Sequence, residues 1–247
     1  MNSSGGKTCA LIAAAGRGTR AGLPYPKTLF KMQGKPILLR IVEALAPHAD
    51  ALAVVASPDG AGPIKDCLSG AGIQARIAIQ SEPLGMGHAV LAGLAGIEAE
   101  HVLLAWGDIP FFQPATVAAM VEVHHARGND FTFATAAVES AYTIVSRDSN
   151  GWVRGVTETR EAGIAEPGPG EREIGLFIFR RGPVWTKLQE DLPGKFGNHT
   201  GEHGFLYLIE HLAAAGFKID ALPVASELDL VSLNRLADVE AYLPDVE

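Results

Sequence analysis

Four short runs, Ala10–Ala15, Ala51–Ala56, Ala75–Ile79 and His101–Trp106, are almost wholly apolar and alternate with longer stretches of helical periodicity. The helical stretches are Pro36–Leu45, Gly87–Ile97 and Pro114–His124. A strand that is apolar along its whole length must be covered on both faces, which is the state of a parallel strand between helices. Repeated strand–helix spacing therefore predicts βαβ units with right-handed crossovers. Ligands in such sheets bind beyond the carboxyl ends of the strands.

After Asp130 the rhythm changes. Asp130–Val138, Tyr142–Val145 and Trp152–Val156 read as a strand group with a turn at Asn150–Gly151. The Gly- and Pro-rich stretch Gly163–Gly170 is expected at the surface. Ile174–Phe179 is a buried strand candidate and Glu202–Ala215 a helix, and Ala221–Val231 and Asn234–Tyr242 close the chain. No internal repeat is visible. The expectation is one domain over residues 1–247, in two halves that divide at about residue 130.

With 20 Lys and Arg against 28 Asp and Glu, the net charge is −8, and no basic stripe marks a nucleic-acid footprint. The mild basic cluster from Arg17 to Lys35 is local. Cys9 and Cys67 form neither a CxxC pair nor a metal set, and Cys9 is expected to be buried and inert. No run is long enough to span a membrane, and the first residues, MNSSGGK, lack a secretory hydrophobic segment. A cytoplasmic protein without a membrane or nucleic-acid partner is expected; the oligomeric state stays open.

The first apolar run leads into LIAAAGRGTRAGLPYPK, Leu11 to Lys27. Gly16 and Gly18 let the backbone turn tightly and approach a ligand. Arg17 and Arg20 can neutralise β- and γ-phosphate charge, and Lys27 can follow that charge onto the α-phosphate. Loops of this kind hold phosphate oxygens with backbone N–H groups and cations. The pattern is neither a Walker loop nor a GxGxxG fingerprint. The competing reading is an ordinary βα loop with surface cations.

Asp108 follows the run HVLLAW in WGDIP, where a lone carboxylate can hold Mg²⁺ or simply cap a turn before Pro110. A partner ligand should come from the distal segment ASELDLVSLNRL, with Asp229, Ser232 and Asn234 as candidates. In QSEPLGMGH, Gln80 can read a pyrimidine edge through its amide, while Gly85 and Gly87 bring backbone near the base. His124–His125 are expected to be exposed near a helix end. His199 and His203 lack a third metal ligand at convincing spacing. There is no GxSxG or HExxH motif.

Together, AAAGRGTR with Lys27, QSEPLGMGHAV and WGDIP resemble the sugar-phosphate nucleotidyltransferase family. The match is nearest the uridylyltransferase (pyrophosphorylase) domain of the bifunctional UDP-N-acetylglucosamine-forming enzymes, over about residues 9–243. The resemblance implies an α/β, Rossmann-like, glycosyltransferase-A-like fold with a mixed, mostly parallel sheet and helices on both faces. It implies that Ala13, Ala14, Gly16 and Gln80 hold the base, with Arg17, Gly18, Thr19, Gly85 and His88 completing the nucleotide site. It also implies that Arg20 and Lys27 stabilise the triphosphate and transition state, and that Asp108 binds Mg²⁺, with Asn234, Ser232 or Asp229 as second ligand.

The acceptor half departs from the family pattern. Glu158 keeps a carboxylate of the sugar-hydroxyl type, but Glu173-Ile174-Gly175 stands where the family has Asn-Thr-Gly. Met86 stands where threonine is usual, and Ser149 where a glycine is expected. Glu158, Glu173 and Gly175 are the acceptor-site candidates. The acidic replacement argues against an acetamido sugar and leaves the acceptor open. No hexapeptide repeat of an acetyltransferase β-helix occurs, so acetyltransferase activity is not expected.

The expected reaction is Mg²⁺-dependent transfer of a nucleotidyl group, uridylyl by default, from an NTP to a sugar 1-phosphate, with release of pyrophosphate. Two alternatives stand beside it. One is a cytidylyltransferase acting on a polyol phosphate or another phosphorylated acceptor. The other is a catalytically inactive nucleotide-binding regulatory module.

Overall fold

The structure, a computed structural model, describes residues 6–16, 18 and 21–242. In chain order the strands are β1 Thr8–Ala13, β2 Lys31–Met32, β3 Lys35–Pro36, β4 Ala51–Ala56, β5 Arg76–Ile79, β6 His101–Trp106, β7 Phe131–Val138, β8 Thr143–Arg147, β9 Val153–Glu158, β10 Gly170–Arg180 and β11 Ile219–Leu222. The helices are α1 Ile37–Leu45, α2 Pro58–Gly70, α3 Met86–Leu94, α4 Pro114–Arg127, α5 Arg181–Asp191 and α6 Tyr207–Ala214.

Seven strands form the central sheet in the order β11-β7-β10-β6-β1-β4-β5. All run parallel except β10, which is antiparallel to both β6 and β7. The expected α/β architecture with a mixed, mostly parallel sheet is therefore present. Alternation along each strand splits the core in two. Ala10 and Ile12 of β1 join Leu103 and Ala105 of β6 under α1, α2 and α4. Cys9, Leu11 and Ala13 face the other way, with Val102, Leu104 and a group of phenylalanines under α3, α5 and α6. Period-two alternation with both faces buried is why these runs read as continuously apolar.

This topology sets the place of the site. From β1 the chain moves outward through β4 and β5, then returns to β6 on the other side of β1. The reversal opens a crevice beyond the carboxyl ends of β1 and β6. Because β10 is antiparallel to β6, with Leu176 opposite Ala105, its first half lies at the same edge. The hairpin β8–β9 sits outside the main sheet and sets Thr143 opposite Glu158.

Several expectations are corrected. The helix expected from Glu202 begins only at Tyr207, because Phe196 pairs with His203 and the His203 backbone bonds to the loop before α3. Helix α2 was not expected, since its sequence carries Gly60, Gly62, Gly70 and Pro63; Ser57 caps it by accepting from the Gly60 N–H. The ribbon β2–β3, turned by Gln33 and Gly34 at positive φ, and helix α5 were also not foreseen.

His124, expected to be exposed, is fully buried. Its Nε2 lies 3.0 Å from His101 Nδ1 and its Nδ1 3.0 Å from the Thr132 hydroxyl. Cys9 is buried as expected, and burial pushes its thiol up to about 11, which leaves it protonated and inert. Among the described residues no helix is long and apolar enough to cross a membrane.

Candidate active site

Two cavities open at the carboxyl edge of the sheet. The first, about 490 Å³, is lined by Ala13 to Gly16, Gly18, Lys27, Gln80, Gly85, Gly107 and neighbouring residues. The second, about 710 Å³, lies between β8, β9, the start of β10 and the 195–207 loop. Met86, Asp108, Glu202 and Asn234 line both.

The first cavity is shaped by backbone. The Gly107 N–H donates to the Ala13 carbonyl at 2.9 Å, and a Cβ on Gly107 would stand 2.7 Å from that oxygen. Only glycine lets the turn after β6 lie against the end of β1. Gly18 adopts φ +73° directly over the Lys27 stem and the Tyr25 carbonyl. Lys27 opens a 3₁₀ turn after Pro26, and its Nζ is 2.6 Å from Asp108 Oδ2. This half-buried, charge-assisted contact joins the cation of the first motif to the carboxylate of the third across 81 residues. Arg17, Thr19 and Arg20 fall outside the described residues.

Gln80 is buried and its Nε2 donates to the Gly85 carbonyl at 2.9 Å, with His88 Nδ1 3.3 Å away. His88 itself lines neither cavity and instead stands behind Gln80. Gly85 is at φ +112°, and a Cβ there would meet the His203 backbone at 2.5 Å; one on Gly87 would meet the Gly204 carbonyl at 2.1 Å. The Gly87 N–H donates to the His203 carbonyl and the His203 N–H to the Leu84 carbonyl. The loop before α3 is thus stapled to a wall of the second cavity.

Glu158 and Glu173 both line the second cavity. Gly175 does not; at φ +74° under the Trp106 ring it makes the bulge that shifts the β10–β7 register, and its N–H donates to Glu173 Oε2. Burial pushes the Glu173 carboxyl up to about 7, with Glu158 and Asp108 adding to the rise. Burial, then Glu161 and Glu202, raise Glu158. Glu161 is held below its ordinary value by N–H groups of His199 and Thr200.

Of the distal metal candidates, Asn234 lines both cavities and Ser232 the second. The Leu233 N–H donates to the Asp108 carbonyl at 2.9 Å, which fixes this segment beside Asp108. Asp229 is excluded. It is fully buried and lines neither cavity; it accepts from the Gln113 N–H and the Thr116 hydroxyl at the start of α4, and from Ser226.

No group of three or more His, Cys, Asp or Glu able to hold a metal occurs among the described residues. An oxygen pair such as Asp108 and Asn234 suits Mg²⁺, which takes one or two protein oxygens and completes its shell with phosphates and water. Reading the sequence missed Thr143 of β8 and Lys195, Glu202 and Tyr207 of the 195–207 stretch in the second cavity, which carry no motif.

Residues 10–166 match the model of the MobA-like NTP transferase domain. A bifunctional protein GlmU from Pelotomaculum thermopropionicum is 33% identical over 242 residues, covering 95% of this chain and 51% of that protein. One from Heliobacterium modesticaldum is 29% identical, covering 97% of this chain and 52% of its own length. The chain thus spans about half the length of these relatives.

Two solved structures share the fold. A UDP-glucose pyrophosphorylase complexed with UDP-glucose matches with TM-score 0.71 and 18% identity over 96% of this chain and 98% of its own. A CMP:2-keto-3-deoxy-manno-octonic acid synthetase complexed with CTP matches with TM-score 0.69 and 16% identity over 95% of this chain and 96% of its own. The chain is a nucleotidyltransferase and belongs to the MobA-like NTP transferase family.

Proposed function

We propose that this nucleotidyltransferase moves a uridylyl group from UTP to a sugar 1-phosphate and releases pyrophosphate, with Mg²⁺ as cofactor. The observation that carries the reading is the meeting of the two cavities at Asp108, the residue whose carboxylate also holds Lys27. A donor in the first cavity and an acceptor in the second would bring their phosphates together at that junction.

The acceptor phosphate oxygen attacks the α-phosphorus as the bond to the β-phosphate oxygen breaks, and pyrophosphate leaves with the electron pair. An acceptor phosphate is already anionic at neutral pH, so no general base is required. Catalysis reduces to positioning and charge stabilisation. Lys27, with its stem fixed under Gly18, supplies a cation at the junction; Arg20 is assigned to the β- and γ-phosphates. Ala13, Ala14, Gly16 and Gln80 hold the base, with Arg17, Gly18, Thr19 and Gly85 around the phosphates and ribose, and His88 orients Gln80. Asp108 and Asn234 would hold Mg²⁺, with Ser232 as the alternative second ligand. When bound, that ion would supply positive charge to the phosphates as negative charge develops. Glu158 and Glu173 face the acceptor, and Gly175 sets the Glu173 backbone.

The continuous sheet supports one domain over residues 1–247, with the donor half to about residue 130 and the acceptor half after it. The scarcity of cysteine supports a cytoplasmic location. Pyrophosphate release over a matrix of the four NTPs and several phosphorylated acceptors, with and without Mg²⁺, tests the reading. Release with UTP and a sugar 1-phosphate, abolished by chelation, is expected. Turnover only with CTP and a polyol phosphate would replace it, and NTP binding without release would point to a regulatory module.

A further inference from the structure

A phosphorylated sugar without a cationic group would leave the carboxyl-rich charge of the larger cavity unmet. Six carboxyl groups line it, Asp108, Glu158, Glu161, Glu173, Glu202 and Glu210, and the lining cations are Arg160 and Lys195. Asp108 is paired with Lys27, and Glu161 with two backbone N–H groups. Glu173 is not matched in this way. It is 3% exposed, and among the described residues its carboxylate accepts only from the Gly175 N–H. The adjacent Arg172 turns its guanidinium over the Tyr142 ring, 4.2 Å from the centroid, and donates to the Glu173 backbone carbonyl rather than to its carboxylate. Glu158 lines the same cavity and adds to the negative field at Glu173. Buried carboxylates without a cation are costly to keep.

An independent observation points to a ligand at the same place. Thr143, 3% exposed, and His203, 9% exposed, also line this cavity. The Thr143 hydroxyl and both His203 ring nitrogens lack a hydrogen-bond partner among the described residues. Burial keeps His203 below its ordinary pKa, so its ring is neutral and offers a nitrogen acceptor. Buried polar atoms in a folded protein are normally satisfied, and a group left over in a cavity wall marks a place for a ligand.

We propose that this cavity selects a phosphorylated acceptor bearing a free primary ammonium, an amino-sugar phosphate whose amine is unsubstituted, held against Glu158 and Glu173. The inference rests on the acceptor role assigned to this cavity above. An ammonium offers three donors and a full positive charge, which meets two carboxylates and a neutral imidazole together. An acetylated amine brings a neutral amide and a methyl group to the same carboxylates. An acceptor carrying its own carboxylate adds repulsion.

Calorimetric binding to the full chain of glucosamine 1-phosphate, N-acetylglucosamine 1-phosphate and glucose 1-phosphate tests this without turnover. The amine should bind at least tenfold more tightly than the other two, and E173Q and E158Q should each reduce that preference. Equal or reversed affinities would overturn the proposal, as would a preference that survives both substitutions. Parallel measurement of pyrophosphate release separates the two readings. Amine-selective binding without release under any NTP upholds the ammonium site and removes the transfer reaction. Release with glucose 1-phosphate and no amine preference keeps the transfer and removes the ammonium site.

Discussion

The two cavities that meet at Asp108 are built by opposite means. The smaller one is made of backbone: Gly16, Gly18, Gly85 and Gly107 bring main chain close to the ligand space, and its one described cation, Lys27, is already paired. The larger one is made of side chains from seven separate segments, with carboxyl groups in excess and polar atoms left without partners among the described residues. A backbone-built site is formed before ligand arrives and holds the phosphates that every nucleoside triphosphate carries, leaving base choice to Gln80 on the proposed assignment. A side-chain site with unmet charge and hydrogen-bonding capacity is completed by one kind of molecule. On the proposed roles, the donor is held mainly by backbone and the acceptor is selected by side chains.

The largest test of this contrast is at the junction. Lys27→Ala and Asp108→Ala should each lower kcat by about 10²–10³-fold, the usual consequence of removing one preorganised group from a transition state. Circular dichroism should still report a folded chain, with a lowered Tm, because the two side chains are only 15% and 24% exposed and removing one leaves the other largely buried and unpaired. Near-normal turnover in both variants would break the assignment of the junction to chemistry.

The next test separates the cavities by pH. The Glu173 carboxyl, ordinarily near 4.5, is pushed up to about 7 by burial, so the folded chain holds that proton more tightly than the unfolded one. Its stabilising effect is full below about pH 4.5 and is lost as pH rises through about 7. Glu173→Gln keeps an acceptor oxygen for the Gly175 N–H and cannot ionise. It should be more stable than the parent at pH 8, by on the order of 2–3 kcal/mol, with the difference vanishing near pH 4.5. Paired thermal melts across that range measure it. A difference independent of pH would mean that Glu173 does not ionise at neutral pH.

The same contrast explains what was legible in the sequence. A backbone-built site leaves its mark locally: the glycines and Lys27 lie within three short motifs, and Asp108 stands two residues past an apolar strand. The parallel strands were legible because burial on both faces removes polar residues from a contiguous run. Helix α2 was not, since its stability comes from the Ser57 cap and two buried residues, Ile64 and Leu68, rather than from propensity. Asp229 and Asn234 are both oxygen-bearing residues of one segment; only packing shows that Asp229 is consumed at the start of α4 while Asn234 faces the cavities. His124 looked exposed for the same reason, as its partners His101 and Thr132 come from different strands.

The smallest effect is expected at Thr143, and it discriminates most finely between a site made for a ligand and a surface left by folding. Its hydroxyl is buried without a partner among the described residues, a state that costs folding free energy and returns nothing to the unliganded chain. Thr143→Val replaces that hydroxyl with a methyl group of nearly the same size. If the hydroxyl served the fold, its removal would lower stability. If it serves the acceptor, stability should hold or rise by up to about 1 kcal/mol, because an unmet polar group has been removed. KM for the acceptor should then increase several-fold while KM for the NTP stays unchanged, since Thr143 lines only the larger cavity. A loss of stability with both KM values unaltered would remove Thr143 from the proposed acceptor site and weaken the contrast between a backbone-built cavity and a side-chain-built one.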